Sequence, residues 1–105
     1  MWIMLSDCFY SIVAKDCGPN ELLIRARRKG DIEKCFPAAK VIMNTSGDYL
    51  YRAIAPRDEV AAAIGAKIRD IDYPNFKDSV QDQALHDAYV AVWFEMAELQ
   101  FQHHR

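Results

Sequence analysis

The sequence predicts an α+β domain: a four-stranded antiparallel sheet in the order strand, strand, short helix, strand, strand, helix, helix, with the two long helices on one face. Three observations predict it. Period-two alternation of apolar and polar residues, rich in β-branched and aromatic types, runs through the first half of the chain. Apolar residues stepping by three and four run through the second. The turns between the strand-like segments are short, which favours antiparallel pairing of neighbours. A chain of 105 residues, about half of them apolar, supports one core, so residues 1–105 are read as a single domain.

Taken in order, residues 2–15 read as one long strand with Cys8, Tyr10, Ile12 and Ala14 on one face and Phe9, Ser11, Val13 and Lys15 on the other. Asp16-Cys17-Gly18-Pro19-Asn20 is a turn by composition. Residues 21–28 form the second strand, Leu22, Ile24 and Ala26 opposing Leu23, Arg25 and Arg27. Residues 30–36 read as a short helix with acids in its first turn, ended by Pro37. Strands over 40–44 and 49–54 flank the turn Thr45-Ser46-Gly47-Asp48. Pro56 followed by Asp58 and Glu59 marks a helix start, and Val60, Ile64, Ile68 and Ile71 make its stripe. The last helix runs from about 79 to 102, with Leu85, Tyr89, Val92, Met96 and Leu99 in one stripe and Asp78 as its cap. It carries more apolar surface than a monomer of this size readily covers, so a homodimer seam along residues 79–102 is the alternative to a broad core face.

Composition narrows the function classes. Nothing resembles a signal peptide, since Asp7 interrupts the apolar start and no basic region precedes it, and no run approaches a membrane span. Three cysteines without C-x-x-C spacing point to reduced thiols and a cytoplasmic setting. Net charge is −2, divided between a basic first half (nine Lys/Arg against six Asp/Glu in residues 1–57) and an acidic second half. A negative chain is a poor nucleic-acid binder, which ranks a protein partner first.

Arg25 and Arg27 share a strand face, and Arg52 stands on another strand beside Tyr49 and Tyr51, rings able to stack. These arginines either form a binding patch or pair with the acidic second half. Asp78, Asp82 and His86 repeat at four residues, but three ligands on one helix rarely close a metal sphere, and no metal is assigned. No nucleophile elbow or glycine-rich phosphate loop is present, so no catalytic residue and no cofactor is assigned. Terminal His103 and His104 are expected to fray.

Ile71-Asp72-Tyr73-Pro74-Asn75-Phe76-Lys77 joins the two long helices with far more chemistry than a turn requires. Pro74 drives Tyr73 out of helical geometry. Tyr73 and Phe76 are placed against the core, and Asp72, Asn75 and Lys77 form a polar rim.

With these segments in view, the chain resembles a widespread family of small bacterial proteins of unknown function. The resemblance is carried by Met1-Trp2, by Phe9-Tyr10-Ser11-Ile12-Val13-Ala14-Lys15 and by Leu23-Ile24-Arg25-Ala26-Arg27. It continues through Gly30-Asp31-Ile32-Glu33, Asp48-Tyr49-Leu50-Tyr51-Arg52-Ala53, the 71–77 segment, and Tyr89 with Trp93. It implies a cytoplasmic bacterial protein with a native Met1, sometimes encoded on mobile or phage-derived DNA. It implies no activity.

The sequence therefore predicts a non-enzymatic interaction module that engages a macromolecular partner through Arg25, Arg27, Arg52, Asp72, Tyr73, Asn75 and Lys77. The alternative is a small enzyme acting on a nucleotide or phosphorylated substrate at the Arg25, Arg27, Arg52 and Lys77 patch.

Overall fold

A computed structural model describes residues 1–103, the last by its backbone alone. The expectation for His103 and His104 falls outside the described side chains. The described residues form an α+β structure with a five-stranded antiparallel sheet and three α-helices, two of them long. It divides into two compact units, one ending at Asp72 and the other beginning at Tyr73. No described helix is long and apolar enough to cross a membrane.

The first unit holds β1 (Trp2–Met4), β2 (Phe9–Val13), β3 (Glu21–Ala26), α1 (Asp31–Cys35), β4 (Ile42–Met43), β5 (Tyr51–Pro56) and α2 (Arg57–Arg69). The sheet order is β1-β2-β3-β5-β4, every neighbour antiparallel. The expected four strands are five because residues 2–15 do not form one strand. The chain reverses at Leu5-Ser6-Asp7-Cys8, where the Leu5 N–H donates to the Cys8 carbonyl at 2.9 Å. Ser and Asp are turn formers, and here they sit inside an apolar run that masks the hairpin. The remaining strands shift by a few residues: β3 stops at Ala26, β4 is reduced to two residues, and β5 begins only at Tyr51.

The expected alternation of the sheet faces is observed. Tyr10, Ile12, Ile24, Ala26, Ala53 and Ala55 point to a common core, which Ile32 and Phe36 from the α1 region and Val60 from α2 complete. The α2 stripe is only partly used: Val60 is buried and Ile64 packs on the core, Ile68 is exposed, and Ile71, also exposed, lies beyond the helix, which ends at Arg69 rather than near Asp72. Entry to α1 goes through Gly30 at φ 90°, a left-handed conformation that glycine adopts without a Cβ penalty. Behind it Asp31 is buried, with Lys34 Nζ at 3.5 Å and Arg28 Nε at 3.8 Å supplying counter-charge.

The second unit contains a 3-10 turn (Lys77–Ser79) and α3 (Gln83–His103). Asp78 does not cap α3, as the sequence reading expected, because it lies within the 3-10 turn. The cap is Asp82, whose Oδ1 accepts from the Leu85 N–H at 3.0 Å. With α3 starting at Gln83, Asp78, Asp82 and His86 do not share one helix. Leu85 and Tyr89 of the expected stripe are buried, while Val92, Met96 and Leu99 are exposed.

Candidate functional site

The sheet has a second face, opposite the one that α1 and α2 cover. Registered pairs set its rows. Trp2, Ser11, Arg25, Arg52 and Ile42 stand level across five strands, since Trp2 pairs Ser11, Ser11 pairs Arg25, Arg25 pairs Arg52 and Arg52 pairs Ile42. The next row is Val13, Leu23 and Ile54, and the one beyond is Glu21 with Pro56. Antiparallel partners lie about 4.5–5.5 Å apart, so Arg25 and Arg52 are two like charges side by side in the middle of this face.

What holds them is specific. Arg25 Nη2 donates to Ser11 Oγ at 2.8 Å, and its guanidinium lies 4.5 Å from the centre of the Tyr49 ring. Arg27, exposed and just past the end of β3, lies 4.2 Å from the same ring and donates to the Asp48 carbonyl at 2.9 Å. One buried tyrosine therefore orients two guanidiniums, a contact worth roughly 0.5–2 kcal/mol for each. Tyr51, the other ring expected to stack, belongs to the opposite face and packs against the core. Arg52 is half-buried with its Nη2 tight against Gly47: a Cβ there would lie 2.7 Å from it.

Two polar atoms on this face are left over. The Nε–H groups of Arg25 and Arg52 are buried without a hydrogen-bond partner. Among the described residues, no carboxylate lies within ion-pair distance of either guanidinium. A buried donor left unpaired costs about 1–3 kcal/mol, more when charged. Beside Arg52 the surface is concave, with a cavity of about 550 Å³ floored by Leu23 and Ile54 and rimmed by Asp16, Glu21, Lys40 and Arg52.

The other sequence-predicted residues are placed differently. Asp72 is the last residue of the first unit and is exposed. Tyr73 and Phe76, in the second unit, pack ring to ring at 5.8 Å, and Phe76 stacks on Tyr89 of α3 at 5.4 Å. Asn75 accepts from the Asp78 N–H at 3.2 Å and so starts the 3-10 turn. Lys77 places its ammonium 4.3 Å from the centre of the Trp93 ring. Asn75 and Lys77 thus have local work within their own unit.

Sequence reasoning missed a thiol pair. Cys8 and Cys35 are hydrogen-bonded, and Tyr10 joins them. That bond holds the Cys35 thiol down at about 6, helped by Tyr10 and by the Lys67 charge and opposed by burial. The same bond, with burial, pushes Cys8 up, and burial pushes Tyr10 up. Twenty-seven positions of separation left no spacing signal for this pair. Comparison with protein-family models, with curated proteins and with solved structures finds no match for this chain, so the geometry of the arginine face carries the functional argument.

Proposed function

We propose that the protein is a small interaction module that binds a macromolecular partner, a protein with an acidic surface rather than a nucleic acid, through the sheet face bearing Arg25, Arg27 and Arg52. The observation that carries this reading is the pair of guanidiniums of Arg25 and Arg52, level on neighbouring strands and, among the described residues, without a carboxylate within ion-pair distance. They are preorganised by Tyr49, Ser11 and Gly47, so a carboxylate that meets them finds oriented donors at little further entropic cost. The net charge of −2 supports protein over nucleic acid, whose phosphates reward an overall basic chain. In the cytoplasmic, mobile or phage-derived setting that the resemblance implies, such a module would act as an inhibitor or adaptor.

The test is affinity purification from a native host, with Arg27→Gln/Arg52→Gln as the control. The expected result is a partner retained by the native protein and lost by the double variant, whose thermal melt stays within a few degrees of the native one. Gly47→Ala, which displaces the Arg52 guanidinium, weakens capture in the same direction. A partner held equally by all three proteins overturns the reading. Retention of RNA at low salt, lost as salt rises, overturns the choice of a protein partner.

A second copy of the chain is a further partner in this proposal, favoured by one observation. Val92, Trp93, Phe94, Met96, Leu99 and Phe101 of α3 are all exposed, and a helix apolar around so much of its circumference is ordinarily buried.

A further inference from the structure

We infer that the cavity beside Arg52 is a docking groove for an extended peptide segment that carries a basic, an apolar and an acidic residue at alternate positions. This rests on the reading of the arginine face as a partner-binding surface and names the chemistry of the partner there. The groove spans three rows of the sheet, and their chemistry is graded. Glu21 and Asp16 stand at one end, Leu23 and Ile54 lie level in the middle, and Arg52 stands at the other end, with Lys40 a second cation on the rim.

Successive same-face residues on a strand are two positions apart, so Glu21, Leu23 and Arg25 of β3 define three levels, and Pro56, Ile54 and Arg52 of β5 repeat them. At about 3.3 Å per residue the acidic and basic levels are roughly 13 Å apart. An extended ligand has the same repeat. Its residues i, i+2 and i+4 face the sheet at those same intervals, which brings a cation to Asp16 and Glu21, an aliphatic side chain to Leu23 and Ile54, and a carboxylate to Arg52. A helical ligand would cover only about 6 Å over the same four residues and would miss one end.

Each level has spare capacity for this occupant. Arg52 is half-buried and, among the described residues, has no carboxylate within ion-pair distance. Ile54 is 45% exposed on the groove floor. Glu21 uses Oε1 to accept from the Gly18 N–H at 2.9 Å, which fixes the carboxylate and leaves its charge to face the groove. The cavity, about 550 Å³, lies within the roughly 300–1,000 Å³ of clefts that hold small ligands and short segments.

Fluorescence anisotropy with the full chain tests this, using labelled, end-blocked peptides containing Lys-Ser-Leu-Ser-Asp, the reverse order Asp-Ser-Leu-Ser-Lys, and a permuted control with Lys and Asp adjacent. One of the two ordered peptides is expected to bind at least about tenfold more tightly than the control, a difference that matched charges and one apolar contact supply. Glu21→Gln keeps the acceptor for Gly18 while removing the charge, so it folds as the native protein does and weakens the ordered peptide about fivefold. Arg52→Glu abolishes binding of that peptide and restores binding of a version with Lys in place of Asp. Equal binding of ordered and permuted peptides, or indifference to Glu21→Gln, overturns the inference. A partner captured through Arg27 and Arg52 with unchanged affinity for Glu21→Gln leaves the arginine face standing and removes the groove. Ordered-peptide binding sensitive to Glu21→Gln supports the groove even where no host partner is captured.

Discussion

Cys35 shows how a residue's chemistry is set by neighbours far away in sequence. Its thiol sits beside Cys8, Tyr10 and the Lys67 charge, and the hydrogen bond with Cys8 lowers the pKa of Cys35 while raising that of Cys8. Alkylation by iodoacetamide is therefore expected to be half-maximal near pH 6 at Cys35 and slow at fully buried Cys8. Peptide mapping of alkylated protein checks this, and a Cys35 rate still climbing between pH 8 and 9 refutes it. Stability carries the same signature. A group whose pKa is lowered on folding, from 9.0 to about 6, contributes stability that is complete above 9 and is lost as pH falls through 6. Cys8 and Tyr10 are raised, so their contribution is present below their unfolded values of 9.0 and 10.0 and declines as pH rises past them. The melting temperature is expected to climb from pH 6 toward 9 and fall beyond, and Cys35→Ser removes the climb. None of this was legible in the sequence, where the cysteines showed no spacing. Arg25 and Arg27 were legible as sharing a face, because alternation along one strand fixes it, whereas the pairing of β3 with β5 brought Arg52 level with Arg25.

At the scale of elements, local signals worked where they were short-range and failed where they competed. The β3 alternation and the Pro56-Arg57-Asp58-Glu59 helix start needed only neighbouring residues, and both elements are present. Asp78 was the expected cap, but Asn75 binds the Asp78 N–H and starts the 3-10 turn, so the cap falls to Asp82. Asp82→Ala is accordingly expected to destabilise the chain by about 1 kcal/mol, typical for loss of an N-cap, with a matching loss of helical signal at 222 nm. Asp78→Ala should change neither by more than about half that amount. Chemical denaturation followed by circular dichroism separates the two, and equal losses would argue against Asp82 as the cap. The β1–β2 hairpin was missed because Ser6-Asp7 lies between apolar segments whose continuity mimics one strand.

At the scale of the whole molecule, the balance of exposed apolar surface on α3 against the net charge of −2 governs association. Light scattering coupled to size exclusion is expected to give twice the chain mass of 12.1 kDa at high micromolar concentration. Val92→Glu/Met96→Glu, two changes one turn apart on the exposed part of α3, should return the single-chain mass with helical content intact. A native protein of single-chain mass at that concentration would remove the second copy as a partner.

The sequence by itself determined the α+β class, the faces of the central strands, and Arg25 and Arg27 on one of those faces. Each follows from periodicity or from a residue's own backbone preference, which neighbouring positions encode. Only the tertiary structure decided that Arg25 and Arg52 stand level on adjacent strands with unpaired Nε–H groups, and that Tyr49 rather than Tyr51 orients the guanidiniums. It alone assigned Lys77 to Trp93 and paired Cys8 with Cys35. These are contacts between positions distant in the chain. Register and packing set them, and a strand's own sequence specifies which face a side chain takes but not which partner it meets there.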